Sequence, residues 1–316
     1  MARTKGEAVH GWLILDKPLG LTSTKALAIA RRLLNANKAG HAGTLDPLAS
    51  GVLPLAFGEA TKTVAYLFEA RKTYRFTVKW GGETTTDDAE GPVVRSSDLR
   101  PSLDHILAGL ASFVGEIMQT PPAFSAVKVD GERAYDLARE GEAVVLEPRL
   151  AHIHRIEVVE FADADHCVFE MVCGKGTYVR AFARDLGRTL GCFGHVQALT
   201  RLGVGPFRLN AAISLEQLEE SAKGGAAKRL LMPLATALDD IPGLAVTDQE
   251  AAQLRLGQAI LARGRVSLRA EAVAEGGAPE AQPVFCRSRG GDPVAIAAFD
   301  RGELRPTRVF NFSTRG

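Results

Sequence analysis

Tyr74-Arg75-Phe76-Thr77-Val78-Lys79-Trp80 decides the fold class, because its apolar residues recur at every second position. A period of two puts Tyr74, Phe76, Val78 and Trp80 on the buried face of a strand and Arg75, Thr77 and Lys79 on the other. The polar run 84–91 ends that strand. Upstream, residues 12–15 form a short apolar strand closed by the turn Asp16-Lys17-Pro18-Leu19-Gly20. Thr22-Ser23-Thr24 then caps a helix with Leu27, Ala30, Leu33 and Leu34 on its apolar stripe and Lys25, Arg31 and Arg32 around the rest. Residues 40–51 read as a glycine-bounded loop, and Ala60, Val64, Leu67 and Phe68 as a further helix.

Downstream, Leu103, Ile106, Leu107 and Leu110 mark a helix, and residues 124–129 a strand turned by Asp130-Gly131. Strands are expected over 153–159 and 167–173, ending at Gly174-Lys175-Gly176. The helix that follows turns Val179, Phe182, Leu186 and Leu190 inward, and carries Arg180, Arg184 and Arg188 at spacing four on another face. Strands and helices mix here without regular β-α-β alternation. That order implies an α+β fold, a mixed and mainly antiparallel sheet with flanking helices. The composition shifts between 238 and 243, and strands over 294–299 and 304–310 about the Asp300-Arg301-Gly302 turn follow. The expected organisation is a body of residues 1–240 and a small β-rich domain of residues 243–316, with 270–281 as a flexible loop inside it.

The 316 residues are 46% hydrophobic and 24% charged, which is ordinary for a soluble globular protein. No apolar run reaches the roughly 20 residues that cross a bilayer, and the opening seven residues have no signal-peptide core, so a cytoplasmic protein is expected. Cys167, Cys173, Cys192 and Cys286 form no C-x-x-C pair and lie beside no histidine pair, so buried thiols and no metal are expected. The net charge of +1 conceals a pattern. Residues 1–80 carry 12 basic against 5 acidic side chains, 81–170 carry 7 against 18, and 171–209 carry 6 against 1. Two basic segments folded together would make a phosphate-binding cleft, and solvated helix faces would leave the same pattern.

Gly40-His41-Ala42-Gly43-Thr44-Leu45-Asp46-Pro47-Leu48-Ala49-Ser50-Gly51 is the stretch most concerned with chemistry. Three glycines permit tight turns and close backbone approach. Spacing alone favours Asp46 as the cap of a short helix beginning at Pro47. An aspartate inside a basic segment nevertheless repels phosphates, and that invites a chemical explanation. His41, read alone, passes for a surface or core histidine.

The segment resembles the G-H-x-G-x-L-D-P-x-A-x-G motif of the TruB family, the bacterial tRNA pseudouridine-55 synthases, and meets every fixed position. Leu15-Asp16-Lys17-Pro18 with Gly20, Thr22 and Ser23 resembles the family's opening motif. Lys72-Thr73-Tyr74, the run from Gln119 to Lys128, Gly174-Lys175-Gly176-Thr177-Tyr178-Val179-Arg180 and the run from Gly194 to Arg201 resemble others. The likeness covers about residues 11–210 in order. Beyond about 243 the chain is similar to the small PUA-like RNA-binding domain, and the 270–281 insertion departs from a compact version of it. Thr85 stands where relatives often place aspartate, while Asp88 matches the family's acidic position.

The resemblance implies a pseudouridine synthase fold that turns a uridine of the tRNA T-stem-loop into pseudouridine without a cofactor, a metal or an obligate protein partner. A monomer is expected. It implies Asp46 as the nucleophile after the base is flipped out, attacking C6 of uracil or C1′ of ribose or assisting deprotonation. A nearby guanidinium favours an ionised carboxylate, and Arg180 is the implied partner. Tyr74 is implied to stack on the base and to take part in proton transfer, His41 to aid extrusion, Tyr178 and Leu199 to line the uracil pocket, and Lys17 to support the loop or a phosphate. Each also passes as an ordinary core or surface residue. Two rivals are an RNA-folding factor without catalysis and an aspartate-nucleophile phosphotransferase or hydrolase. The first leaves the implied active-site set unexplained, and the second lacks a Walker loop and a metal-carboxylate cluster.

Overall fold

The computed structural model describes residues 6–125, 146–262 and 282–312, with the backbone of 128–129 and 132–133. The body contains β1 (Gly11–Lys17), α1 (Ser23–Leu33), β2 (Ala39–His41), β3 (Ala49–Phe57), α2 (Val64–Glu69), β4 (Lys72–Trp80), β5 (Gly82–Thr84), β6 (Val93–Ser96), α3 (Leu103–Leu110) and β7 (Gly115–Gln119). It continues with β8 (Lys128–Val129), β9 (Glu132–Arg133), β10 (Arg149–Phe161), β11 (His166–Cys173), α4 (Val179–Thr189), β12 (Gly194–Val204), β13 (Phe207–Arg208) and α5 (Leu215–Lys223). The C-terminal part holds β14 (Gly243–Ala245), α6 (Asp248–Arg255), β15 (Ile260–Leu261), β16 (Gln282–Arg287), β17 (Pro293–Asp300) and β18 (Glu303–Val309).

The main sheet runs β1-β3-β12-β4-β11-β10-β7, with β2 on β3 and β13 on β12. Among the described residues every pairing in it is antiparallel except β12 on β3. The α+β reading therefore holds. The two-residue period in β4 and β11 is met: Phe76, Val78 and Trp80 are buried, as are Cys167, Phe169, Met171 and Cys173. Helix α4 covers that face with Phe182, whose ring meets Phe76 edge-on at 5.7 Å and Phe169 at 6.1 Å. Burying each such ring stabilises the fold by roughly 2–3 kcal/mol.

Three expectations are corrected. Residues 40–51 are a loop only in the middle, because β2 ends at His41 and β3 begins at Ala49. Strand β3 is buried along almost its whole length, and its continuous apolar run lacks the alternation that marks a half-exposed strand. Arg180 and Arg184, expected on a face of α4 other than its inward apolar one, are buried. Of the strand expected over 124–129, residues 124–125 are bends and only Lys128–Val129 pairs, with Glu132–Arg133. The Asp130-Gly131 turn, Ala126, Val127 and residues 270–281 lie outside the described residues.

The C-terminal sheet, β14-β16-β17-β18-β15, is the β-rich unit expected from the tail. Its Phe285, Ile296 and Phe310 belong to the same apolar cluster as Trp12, Ile14 and Phe207 of the body. Lys62 ties the two with its ammonium, which bonds Glu59 at 2.6 Å and the Val309 carbonyl at 2.7 Å, while the Asn311 amide donates to Glu59 at 2.7 Å.

The decisive junction is β12. Its residues Leu199 and Arg201 lie opposite Ala49 and Gly51 of β3 on one side and Phe76 and Tyr74 of β4 on the other. Gly51 has φ +98°, and a Cβ there would sit 2.3 Å from the Arg201 carbonyl oxygen. Only glycine fits that approach. Gly51→Ala is expected to cost about 2–4 kcal/mol and lower the melting temperature, read by thermal denaturation. An unchanged melt would contradict the approach.

Candidate active site

The nucleophile candidate is held from behind. Ser23, in the first turn of α1, donates its hydroxyl to the Leu45 carbonyl at 3.0 Å and accepts from the Leu45 amide at 2.8 Å. The Gly20 amide bonds the Pro47 carbonyl at 2.8 Å, and the Ala49 amide bonds the Asp46 carbonyl at 3.0 Å. Asp46 thus opens a turn, with Pro47 supplying its fixed φ, and caps no helix. Lys17, fully buried, stands behind this turn and donates to the carbonyls of Pro18 and Leu21 at 2.8 and 2.7 Å. Burial pushes its ammonium down to about 8, opposed by the charge of Asp46.

From the front, α4 delivers Arg180. Its guanidinium is 2.8 Å from Asp46 Oδ2 and 3.5 Å from Asp88 Oδ2, and it donates to the Thr86 and Phe124 carbonyls, each at 2.9 Å. The Arg180 side chain is 7% exposed and that of Asp46 is 40% exposed, so the carboxylate faces open space while its partner is enclosed. Asp88 is fixed in turn by Thr86 at 2.5 Å and by the Glu90 amide at 3.0 Å. The start of α4 is set by Gln119, whose side-chain amide both donates to the Tyr178 carbonyl and accepts from the Tyr178 amide, at 3.1 and 2.8 Å. Thr85 is exposed, and its amide bonds the Pro92 carbonyl at 3.1 Å.

Asp46, Tyr74, Tyr178, Arg180 and Leu199 all line one cavity of about 570 Å³. That volume lies within the roughly 300–1,000 Å³ range of sites that enclose a small molecule or a single extruded base. Tyr74 borders it from β4, and burial raises the phenol's pKa while the Arg201 guanidinium opposes the rise. Burial likewise raises the Tyr178 phenol. His41 and Lys17 do not line the cavity. His41 sits half-buried at the end of β2, its Nδ1 enclosed without a hydrogen-bond partner and its pKa lowered by burial and then by Arg201. Among the described residues no three His, Cys, Asp or Glu side chains gather as a metal site, and no helix is long and apolar enough to cross a membrane.

Residues 31–179 match the TruB family pseudouridylate synthase N-terminal domain, and residues 180–239 match the tRNA pseudouridylate synthase B C-terminal domain. Similarity extends well past that span. The tRNA pseudouridine synthase B of Bradyrhizobium diazoefficiens is 54% identical over 310 residues, which cover 96% of this chain and 87% of that protein. The chain belongs to the TruB family. The Caulobacter sp. strain K31 tRNA pseudouridine synthase B is 52% identical over 311 residues, covering 98% of this chain and 99% of that one. Among solved structures, a chain of a Cbf5-Nop10-Gar1 complex is similar at a TM-score of 0.74 and 26% identity, covering 96% of this chain and 85% of that chain. As a TruB-family member the chain is an enzyme, an isomerase acting on uridine.

Several residues of this TruB-family site carry no signal that periodicity could raise. Lys72 lines the cavity and donates to the Phe68 carbonyl, and burial pushes its ammonium down to about 8. Arg184 bonds Asp87 at 2.9 Å and the Thr120 carbonyl at 2.8 Å, and Arg188 bonds Glu83 at 2.7 Å. The spacing of four was legible, and the three acidic partners come from a loop about 100 residues earlier. Together they hold α4 against residues 83–88 and so fix the height of Arg180.

Burial pushes the Asp87 carboxyl from 3.8 up to about 6, against the pull of Arg184 and Arg180. Between about pH 4 and 6 the folded protein then binds more protons than the unfolded chain. Its contribution to stability is full below about pH 4 and declines as pH rises through 6. The stability of the wild type relative to Asp87→Asn is expected to fall by up to ~3 kcal/mol from pH 4 to 7, measured by urea denaturation across that range. A difference that stays flat would mean that Asp87 titrates alike in both states.

Proposed function

We propose that this enzyme isomerises uridine-55 in the T-loop of tRNA to pseudouridine, with Asp46 as nucleophile on a flipped-out base. The observation that carries the reading is the Asp46 carboxylate, ion-paired to the enclosed Arg180 at 2.8 Å and opening onto a cavity bordered by Tyr74. The reaction breaks the N1–C1′ bond, turns the base and joins C5 to C1′, after which C5 loses a proton and N1 gains one. It needs no group or electron carrier. A carboxylate serves by attacking C6 of the uracil or C1′ of the ribose.

Arg180 keeps the carboxylate oriented and receives the rest of its order from Asp88 and two carbonyls, so it does not follow Asp46 into solvent. Tyr74 stacks against the base and its hydroxyl takes the C5 proton. Tyr178 and Leu199 close the uracil pocket, and His41, next to the nucleophile loop, fills space vacated by the base. Lys17 supports the turn from behind. A base folded into the T-loop must leave its stack to reach this depth, and looped RNA yields bases more readily than duplex does. Residues 1–240 form the catalytic unit and residues 243–316 a PUA-like unit that contacts RNA. The enzyme works as a monomer in the cytoplasm on the T-stem-loop.

Tritium release from C5-labelled uridine in unmodified tRNA tests this reading. The wild type is expected to release one tritium per tRNA, with pseudouridine mapped to position 55. Asp46→Asn should lose on the order of 10⁴-fold or more in rate and keep tRNA affinity within about threefold, because Arg180 retains Asp88 and two carbonyls. Equal release by both proteins would remove Asp46 from this role.

A further inference from the structure

The structure assigns a task to Arg201, which the reactions above leave idle. We propose that Arg201 is a positioning residue that clamps the Asp46 loop through one guanidinium and sets its cation beside Tyr74 on the neighbouring strand, holding nucleophile and proton acceptor in register. This rests on the roles proposed above for Asp46 and Tyr74.

The Arg201 backbone is pinned between Gly51 and Tyr74, its partners in β3 and β4. Its side chain is almost wholly buried, and its donors are directed to carbonyls around the nucleophile loop: Nε to Val52 at 2.8 Å, Nη2 to Gly43 at 3.0 Å and Nη1 to Thr44 at 3.4 Å. Gly43 and Thr44 lead directly into Asp46. Tyr74 is the cross-strand partner of Arg201, and both side chains line the cavity. Among the described residues no carboxylate pairs with Arg201, so its charge is felt by its neighbours. Burial first and then this charge lower Lys17, His41 and Lys72, while at Tyr74 the charge opposes the rise that burial causes. Neutral donors would serve a purely mechanical clamp, without the cost of seating a cation beside two buried lysines. Beside a phenol the cation does more, because it favours the phenolate. The charged or titratable groups acting on Tyr74 are Arg201, Cys173 and Asp46.

The chemistry asks for this arrangement. Once C5 is joined to C1′, the C5–H bond breaks and its electron pair forms the C5–C6 double bond. The C6–N1 π pair moves onto N1, which takes a proton from water, and the C5 proton passes to the Tyr74 oxygen. A phenolate accepts it and becomes a phenol. Burial opposes that phenolate, and the cation of the cross-strand Arg201 offsets part of the cost. The same residue holds the backbone that places Asp46, so a shift of the loop and a shift of the phenol are coupled.

Single-turnover tritium release from C5-labelled tRNA, followed from pH 6 to 9.5, tests the assignment with Arg201→Lys and Arg201→Gln. An ammonium cannot span the three carbonyls together, and glutamine also lacks the charge. Both variants are expected to slow at least 100-fold at pH 7.5 while retaining tRNA binding within threefold and a cooperative melt. The rising limb of the pH-rate profile should move to higher pH in Arg201→Gln and less so in Arg201→Lys. Rates within threefold of wild type at every pH overturn the proposal, as does a slowed enzyme whose rising limb stays in place. Loss of both tRNA binding and the cooperative melt in the two variants also overturns it, since Arg201 would then hold the fold rather than the site. A wild-type protein that releases no tritium removes the reaction itself, whereas an active wild type with unaffected variants removes this role alone.

Discussion

Everything around the cavity depends on how closely β12 passes between β3 and β4. Residues 199–201 pair in parallel with 49–51 and antiparallel with 74–76, so three chain segments far apart in sequence meet within two strand spacings. The contact tolerates no side chain at position 51, where the Arg201 carbonyl stands in the place of a Cβ. Asp46 lies just before the first of these strands, Tyr74 at the middle junction and Leu199 on the strand between them. The geometry of the site is a consequence of strand register, which a packed sheet holds more rigidly than a loop could.

Electrostatics completes what register begins. Helix α4 carries Arg180 and Arg184 inward and Arg188 at its exposed end, and each finds an acidic partner within residues 83–88, with Arg180 reaching past it to Asp46. Enclosed guanidiniums are tolerated because their planar donors are matched by carboxylates and carbonyls together. Removing one carboxylate therefore leaves the others to hold the cation. Asp46 is the most exposed of the acidic partners of Arg180 and Arg184, so the network is enclosed at its base and open at the Asp46 carboxylate.

The sheet, the helices and the tail were legible in the sequence wherever one face is buried and the other is wet, as in β4 with its strict alternation. Strand β3 was not, because a strand buried on both faces shows no period, and β12 was not, because its Gly194, Gln197, Thr200, Arg201 and Gly203 do not look like a strand. The Asp46 loop was recognised only by resemblance; from spacing alone, Asp46-Pro47 reads as a helix cap. The burial of Arg180 and Arg184 escaped the reading for a different reason. Charge at spacing four fits a solvated face until its partners are known, and Glu83, Asp87 and Asp88 lie in a segment with no periodicity of its own.

The shared cluster of Trp12, Phe207, Phe285, Ile296 and Phe310, with the Lys62 tie beside it, welds the C-terminal sheet to the body. Such a seam sets the span from the tail's surface to the mouth of the cavity by packing. Any polymer that touches both ends is gauged as by a caliper, and one with too long or too short a reach meets only half of the instrument.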